Sequence, residues 1–419
     1  METREIKKDV RQQILEMVER DEKPSRSSIQ KNAYAILEGI EKKQRTALGR
    51  DVKEEIVQTL CDDLLGLGPL QALIDDEEVT EVMVNGPHMV YVEKRGKKSL
   101  SNVKFDDEEH LRYIIERMLY PTRKNLDEKF PYVDFSLRPG TRVNAIIPPL
   151  AAGGPVLTIR KLLRSIRKSD DLVDRNTIDR RIGEFLIACI KAKMNLLFSG
   201  ATGSGKTTTL AVLTSYIDPQ ERIITIEDAL ELYIKQDHVV RLLTRPQNIE
   251  GKGEVTLRDL LRNALRMRPS RIVLGEIRGA EAMDYLQALT SGHTGCLAVI
   301  HASNPSDAIT RLETMALYAG LDLPSWAIRQ QIASGLDFIV QQEQLVDGSR
   351  KVTHVTEVDG LEGNQVVLRD IFRYEIEGTG ADQEIAGKFV ALGAPTSIDR
   401  FLKRGVPLDE AIFEEGVSR

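Results

Sequence analysis

The sequence contains few cysteines and few aromatic residues, and it has no long apolar stretch. Its 419 residues include 3 cysteines, and aromatic side chains make up only 5% of the chain. Cys61, Cys189 and Cys296 lack the paired spacing of a zinc site or a disulfide framework, so we expect a reducing compartment. Because no run approaches the roughly 18 consecutive apolar residues of a spanning helix, we expect membrane contact to be peripheral or through partners.

Charge also limits the classes of protein that fit. The N-terminal segment METREIKKDVRQQ is charged every few residues and lacks the apolar stretch of a secretory signal peptide, which favours a cytoplasmic protein. The 58 basic and 64 acidic residues give a formal net charge of −6. Such mild acidity argues against a protein that coats nucleic acid, although it is compatible with a local basic patch.

The length and the changing hydrophobic pattern predict several domains. A chain of 419 residues is long enough for two or three domains of ordinary size. Apolar residues recur at helical spacing over residues 1–66, which predicts an N-terminal helical extension. Strand-like runs, a hairpin signal at Asn85-Gly86 and one helix over 107–119 predict an α+β domain over residues 67–165. We interpret the charged segment 166–178 as a linker.

Residues 179–419 have the pattern of an α/β domain with a mostly parallel sheet. Apolar strand candidates alternate with helical stretches of about a dozen residues, as crossover connections require. Five of these candidates read NLLFS, RIITIE, HVVRLL, RIVLGE and CLAVIHA. Two or three more strand-like runs after Phe338 and a short helical tail complete the predicted domain.

The segment GATGSGKT matches the phosphate-loop pattern G-x-x-x-x-G-K-[ST]. A strand candidate precedes it and a helical stretch follows, which favours a phosphate loop over an ordinary glycine-rich turn. Glycines let the backbone turn its N–H groups around a phosphate, and the helix adds the positive end of its dipole. We expect Lys206 to reach the β- and γ-phosphates and Thr207 to offer a hydroxyl to Mg²⁺. The predicted nucleotide-binding residues are Gly200, Ala201, Thr202, Gly203, Ser204, Gly205, Lys206, Thr207 and Thr208.

Two strand candidates end in carboxylates that could take part in hydrolysis. Glu276 follows a buried run and is expected to serve Mg²⁺, directly or through a water; the alternative is a solvated strand-end residue. Glu227 follows RIITI, and on the expectation that this strand lies beside the phosphate-loop strand it could orient or deprotonate the attacking water. The next residue, Asp228, is either a second carboxylate or the N-cap of a helix that carries Glu231.

Histidines and arginines supply further candidates. His293 in GHTG and His301 in AVIHAS are two of only six histidines, and His301 stands at a strand end from which it could donate to a γ-phosphate oxygen. A lone histidine after a strand is nevertheless often structural. Arg258, Arg262 and Arg266 form one stripe on a helix predicted over 256–267. This stripe is compatible with a solvated face, a subunit interface or a nucleic-acid contact, of which we favour the interface.

These motifs stand in longer blocks of sequence that resemble one family. The blocks include LGLGPLQALIDDEEVTEVMVNG, VDFSLRPGTRVNAIIPPL, TIEDALEL, RPSRIVLGEIRG and LTSGHTGCLAVIHASNP. Together they resemble the secretion-superfamily ATPases of type II and type IV systems, and most closely the tight-adherence (Tad) pilus assembly ATPases of the CpaF type. The resemblance extends over most of the chain and does not depend on the phosphate loop alone.

The resemblance implies roles for individual residues. GATGSGKT corresponds to the family's Walker A motif, and Glu276 to its atypical Walker B glutamate. Glu227 falls in the so-called Asp box, whose glutamate is thought to act on the lytic water. His293 and His301 match the His box, which senses the γ-phosphate.

Arginines of the preceding domain are also implied. Arg142 in GTRVN and Arg160 in LTIRK match arginines that approach ATP in the family's hexameric ring. Where the family has a further arginine, this sequence has Ser136, and Arg138 stands two residues later as a possible substitute.

The resemblance implies an overall function and architecture. It implies a RecA-like C-terminal domain that, with the α+β domain, closes on ATP and Mg²⁺ in a cytoplasmic homohexamer. Such a ring would drive inner-membrane platform proteins in pilus assembly or protein secretion, and we expect no nucleic-acid partner. Two alternatives stay open, a nucleic-acid-translocating RecA-like ATPase and an ATP-binding scaffold with little turnover.

Overall fold

The computed structural model describes residues 3–18, 25–44, 47–94, 96–122, 124–138, 141–161, 166–247, 251–380 and 385–414. The chain forms two compact units. The first comprises Met1–Lys94, Lys98–Leu137 and Arg142–Lys161, and the second comprises Leu162–Arg419 with two short pieces of the preceding chain.

The first unit begins with helices, three of which lie within residues 1–66. They are α1 (Thr3–Val18), α2 (Arg26–Gln44), α3 (Arg50–Leu65) and the short α4 (Gln71–Asp75). One apolar stripe of each long helix enters a common core, with Val10 from α1, Leu37 from α2 and Leu60 from α3. Across the described residues of both units, no helix is long and apolar enough to cross a membrane.

A buried polar cluster joins these helices to the rest of the first unit. Asp63 of α3 is fully buried, accepts from Arg11 of α1 at 2.5 Å and lies 3.1 Å from a ring nitrogen of His110. Arg11 also donates to Asp106 at 3.0 Å, and Asp106 lies two residues before α5 (Glu108–Leu119), the helix that carries His110. Because a buried carboxylate without partners would be costly, these bonds hold α1, α3 and α5 in one arrangement.

The first unit also contains a six-stranded sheet in the order β3-β2-β1-β6-β5-β4. Its strands are β1 (Val79–Asn85), β2 (Val90–Lys94), β3 (Lys97–Leu100), β4 (Tyr132–Arg138), β5 (Thr141–Ile146) and β6 (Val156–Lys161). The antiparallel β1–β2 connection begins at Gly86, whose φ of 83° is the left-handed conformation that Asn-Gly favours. Val82 and Val84 share their core with Ile114 of α5.

The second unit is built on a nine-stranded sheet in the order β15-β14-β13-β12-β7-β11-β10-β8-β9. The strands are β7 (Leu196–Ser199), β8 (Ile223–Glu227), β9 (Val239–Leu243), β10 (Arg271–Ile277), β11 (Leu297–Ile300), β12 (Phe338–Gln344), β13 (Arg350–Glu362), β14 (Gln365–Thr379) and β15 (Ile385–Ala391). From β12 to β9 all neighbours pair in parallel, whereas β12 to β15 pair antiparallel. The predicted α/β class is confirmed.

Helices cover both faces of the parallel part of this sheet. They are α6 (Ser169–Asp174), α7 (Arg180–Lys191), α8 (Lys206–Thr214), α9 (Leu257–Ala264), α10 (Glu281–Thr290), α11 (Pro305–Leu317), α12 (Ser325–Gly335) and α13 (Ile398–Lys403). Successive residues of a strand point to opposite faces, so Phe198 of β7 packs with α7 and α8 while Leu197 packs with α10 and α12. Such two-sided burial explains why the strands read as continuous apolar runs.

Part of the segment interpreted as a linker is helical. Helix α6 lies within residues 166–178, and Leu172 and Ile178 belong to the same core as Phe185 of α7. The charged residues of this segment lie on its exposed face. Because they dominate its composition, the sequence pattern did not indicate the apolar core positions Leu172 and Ile178.

Arg271 begins β10 as a buried cation with four hydrogen bonds. Its side chain is only 1% exposed. It donates to the two carboxylate oxygens of Glu221 at 2.8 and 3.1 Å, to the carbonyl of Ile190 at 2.7 Å and to that of Gly295 at 3.4 Å. These bonds tie the start of β10 to α7 and to the turn before β11.

Glu221→Gln should destabilise the second unit, because it leaves the Arg271 guanidinium buried without its charge partner. Breaking a buried pair from one side costs about 3 kcal/mol or more. Differential scanning calorimetry of the full chain should show the transition of this unit at a lower temperature. The matched control is Glu377→Gln, whose exposed pair with Lys388 should contribute little. Equal shifts in the two variants would contradict this account.

Candidate nucleotide-binding site

The phosphate loop lies between β7 and α8, as the sequence predicts. Gly200, Gly203 and Gly205 have φ values of 150°, 82° and 99°, conformations that favour glycine. Helix α8 begins at Lys206, so its first-turn N–H groups face the loop. Lys206 is 5% exposed, and its Nζ donates to the carbonyls of Gly200 and Ala201 at 2.8 and 2.7 Å. A glycine-lined loop, a helix N-terminus and a held ammonium group fit a phosphate anion.

The order of the strands corrects one prediction about Glu227. We expected β8, which ends at Glu227, to lie beside the phosphate-loop strand. It lies three strands away instead, because β11 and β10 separate β7 from β8. At about 4.8 Å between strands, β8 is roughly 14 Å from β7 along the sheet. Glu227 nevertheless emerges at the same carboxyl edge as the loop, because all four strands are parallel.

Glu227 is a buried carboxyl group. Its side chain is 2% exposed, and Oε1 accepts from the backbone N–H groups of Glu231 and Leu232 at 3.0 and 2.8 Å. Burial raises the pKa of Glu227 to about 7, and these two hydrogen bonds offset only part of that effect. A carboxyl group with a pKa near neutrality can both accept and release a proton under physiological conditions.

The surroundings of Glu276 lower its pKa, in contrast to those of Glu227. One carboxylate oxygen of Glu276 lies 3.2 Å from Nε2 of His301, and the other lies 2.6 Å from the guanidinium of Arg278. Burial alone would raise the pKa of Glu276, but its bonds with His301 and Arg278 outweigh burial and lower the pKa to about 2. Glu276 is therefore a permanent anion. Arg278 also lies 3.3 Å from Asp228, so it links Glu276 near the end of β10 to the carboxylate that follows β8.

His301 and His293 lie at opposite edges of the sheet. Ile300 of β11 pairs with Ser199 of β7, so His301 follows directly at the carboxyl edge beside the phosphate loop. His293 lies between α10 and β11, where it lines a cavity of about 260 Å³ with Arg271, the first residue of β10. The prediction that His293 senses the γ-phosphate is therefore wrong for a phosphate held by its own chain, because the length of β11 separates it from the loop.

Two further predictions differ from the structure. No helix follows β8 in the described residues 228–237, so Asp228 is not an N-cap; it accepts from the Thr244 hydroxyl at 2.9 Å. The predicted helix over 256–267 is shorter than expected, because α9 ends at Ala264 and Arg266 lies beyond it; Arg258 and Arg262 do lie on α9 and are more than a solvated face. Arg258 and Arg262 both bind the buried Asp284 of α10, each at 2.6 Å, and these bonds fix α9 against α10.

The predicted arginines of the first unit lie on neighbouring strands. Arg142 is on β5, and Arg160 is on β6, where it lies 3.7 Å from Glu81 and is 45% exposed. Ser136 is on β4. Arg138 is the last residue of β4, and its side chain lies outside what the structure describes.

The described residues contain no cluster of three or more histidine, cysteine, aspartate or glutamate side chains that would form a ready-made metal site. The predicted ligands of Mg²⁺, Thr207 and Glu276, nevertheless have suitable chemistry. Both are oxygen donors, and Glu276 stays ionised at any physiological pH because of its low pKa.

The sequence patterns did not predict three residues that lie at this edge of the sheet. Arg278 stands in the motif GEIRG two residues after Glu276, and that proximity was an available signal. Gln342 and Arg350 had no such signal, because they belong to β12 and β13 and reach the loop only through folding. Gln342 bonds Thr209 at 2.8 Å and Arg350 bonds Gly203 at 2.8 Å.

Gly275→Ala should displace Glu227 and lower ATP turnover. A Cβ at Gly275 would lie 2.9 Å from Cγ of Glu227, a separation that side chains do not tolerate. The near end of Glu227 cannot swing aside as a flexible tip would, so its carboxylate must move. Steady-state hydrolysis should fall about tenfold or more, while affinity for ADP stays close to the wild-type value. Gly279→Ala is the control, because its Cβ would meet only the carboxylate tip of Glu281 at 3.4 Å.

Comparisons with known proteins agree on the family. The model of the Type II/IV secretion system protein family matches residues 63–377. The "Putative conjugal transfer protein Rv3659c" of Mycobacterium tuberculosis is 34% identical over 73% of this chain and 88% of its own length. The "Type IV secretion system protein PtlH" of Bordetella pertussis is 33% identical over 70% of this chain and 95% of its own length.

Among solved structures, the VirB11 ATPase of Brucella suis is 28% identical and covers 73% of this chain and 96% of its own. The TM-score of that superposition is 0.38. The family match extends over well more than half of the sequence and includes the phosphate loop, both carboxylates and both histidines. The chain therefore belongs to the type II/IV secretion system protein family, whose members are P-loop-type ATPases.

Proposed function

We propose that the protein is a hexameric ATP-hydrolysing motor that acts at the cytoplasmic face of the inner membrane in pilus assembly or protein secretion. Within this class, the sequence blocks favour a tight-adherence (Tad) pilus assembly ATPase of the CpaF type. The observation that carries the enzymatic part is the placement of Glu227, a buried carboxyl group with a pKa of about 7, at the same sheet edge as the phosphate loop.

The phosphate loop would bind the nucleotide. Its N–H groups and the start of α8 would hold the phosphates, and Lys206 would exchange its two carbonyl partners for phosphate oxygens. The Thr207 hydroxyl and the Glu276 carboxylate would hold Mg²⁺, which neutralises phosphate charge when bound. His301 lies beside Glu276 and next to the end of β7, a position suited to a contact with the γ-phosphate.

Glu227 would orient and deprotonate the attacking water. A base must be ionised to accept a proton, so its pKa sets the lower limit of the active pH range. Burial is the main cause of that raised pKa, and the nearby charge of Glu231 raises it further. Glu276 is held ionised near His301 and Arg278 and is therefore unsuited to proton transfer at neutral pH.

Glu227→Gln should abolish most turnover and leave nucleotide binding intact, because the amide keeps the shape but cannot accept the proton. Phosphate release should fall by roughly 100-fold or more. In the wild type, kcat/KM should rise with pH through about 7, since raising the pH ionises Glu227. Glu254→Gln, an exposed carboxylate that accepts from Gln247, is the matched control.

The outcomes of this assay separate the motor from its alternatives. Equal rates for wild type and Glu227→Gln would contradict hydrolysis by this residue and favour a scaffold that binds ATP with little turnover. Turnover stimulated by DNA, with stimulation that falls steeply as salt rises, would favour a nucleic-acid motor instead. We expect no such stimulation at physiological salt, in line with the acidic net charge of −6.

Arg142 and Arg160 are proposed to neutralise transition-state charge when subunits form the ring. Arg142→Ala and Arg160→Ala should each lower kcat by about tenfold or more. In the presence of ATP, analytical ultracentrifugation should show the wild-type protein as a hexamer. Arg112→Ala is the control, because Arg112 forms an exposed pair with Glu116 on α5. A monomer that keeps full turnover in both Arg142→Ala and Arg160→Ala would contradict this part of the proposal.

A further inference from the structure

The end of β12 lies directly against the phosphate loop. A Cβ built on Gly200 would lie 2.0 Å from the carbonyl oxygen of Gln342, and one on Gly205 would lie 2.8 Å from its side-chain nitrogen. Gly200 and Gly205 must therefore lack a side chain, because Gln342 occupies the space that a Cβ would need. This glutamine comes from a strand more than a hundred residues further along the chain.

Gln342 is a buried amide that packs beside the loop and bonds the helix that follows it. Its side chain accepts from the Thr209 hydroxyl at 2.8 Å, and both residues are almost completely buried. The register of β12 on β13 shifts between Gln341 and Gln342, so consecutive glutamines pair with His354 and Val352. Irregularities of this kind redirect a side chain, and they occur next to active sites.

Arg350, the first residue of β13, fixes one peptide unit of the loop. Its Nε donates to the carbonyl of Gly203 at 2.8 Å. The N–H on the other side of this peptide, that of Ser204, donates to the carbonyl of Ala201 at 3.3 Å. Because a peptide unit is planar, two such bonds determine its orientation.

An ordered loop has a direct effect on affinity. A glycine-rich segment loses more conformational entropy on ordering than other segments, and a ligand that must order it binds more weakly. Contacts that order the loop beforehand remove that loss. Gln342 and Arg350 make such contacts without being part of the phosphate-loop motif.

We propose that Gln342 and Arg350 are positioning residues that hold the phosphate loop in its phosphate-binding shape before nucleotide arrives. The inference extends the proposed function, on which its affinity consequence rests. It also makes the β12–β13 hairpin a connection between the nucleotide site and the antiparallel strands β13 to β15. Displacement of that hairpin would weaken nucleotide binding.

The test measures the loop in the nucleotide-free full chain. Amide hydrogen exchange over residues 199–208 should be faster in Arg350→Ala than in the wild type, and the dissociation constant for ADP should rise roughly tenfold. The thermal unfolding midpoint should stay at the wild-type value. Arg373→Ala is the matched control, because this arginine lies on β14 and binds only Glu375 among the contacts described for it.

Arg350→Lys separates positioning from simple charge attraction. Lysine keeps the positive charge but lacks the Nε–H that binds Gly203. The Arg350→Lys variant should therefore match Arg350→Ala in the amide hydrogen exchange of the loop and in its affinity for ADP. Wild-type exchange in Arg350→Ala, or wild-type affinity in Arg350→Lys, would overturn the proposal. Failure of the wild type to bind ADP would overturn the proposed function instead, while the exchange measurement would still decide whether the loop is held.

Discussion

The parallel pairing of β7 between β11 and β12 determines where chemistry takes place in this protein. Ser199 pairs with Ile300 on one side and with Gln341 on the other, so β7 and β11 end together while β12 continues past them along the loop. Side chains that follow those ends share one edge of the sheet with the phosphate loop. Two apolar cores bury the strand faces. The polar chemistry of the second unit therefore collects at the strand ends, where backbone groups and side chains can meet a charged ligand.

The surroundings of two glutamates at this edge shift their pKa values in opposite directions. Glu227 is enclosed and accepts from two backbone N–H groups, and burial is the largest influence on its pKa. Glu276 faces a guanidinium and an imidazole, and these cationic or donating groups outweigh burial. Environments that push the pKa values of two like residues apart are the usual basis for different roles in proton transfer and charge stabilisation. Arg278 binds Glu276 and also Asp228, the residue after Glu227, and so links the ends of β10 and β8.

Local features of the site could be predicted from the sequence, whereas relations between distant strands could not. The loop glycines, Lys206 and the strand-end carboxylates depend on conformations set within a few residues. The order of the strands depends on crossover connections, so the expectation that β8 lies beside β7 was wrong. His293 was assigned to the γ-phosphate from its family motif, although GHTG precedes the strand in the sequence and so lies at the opposite end of β11 from His301. The partners of Arg258 and Arg262 were hidden because Asp284 belongs to another helix. The assignment of Arg142 and Arg160 remains a prediction.

The contact between Arg350 and the phosphate loop has a consequence for how the protein is made. The two partners are 147 residues apart in sequence. During synthesis, the complete Walker A motif leaves the ribosome well before β12 and β13 exist to pair with it. At about 5–20 residues per second, this interval lasts roughly 7–30 seconds. On the proposed role of Arg350, a nascent chain would carry an unbraced phosphate loop for that time, and tight nucleotide binding would wait until the sheet is nearly complete.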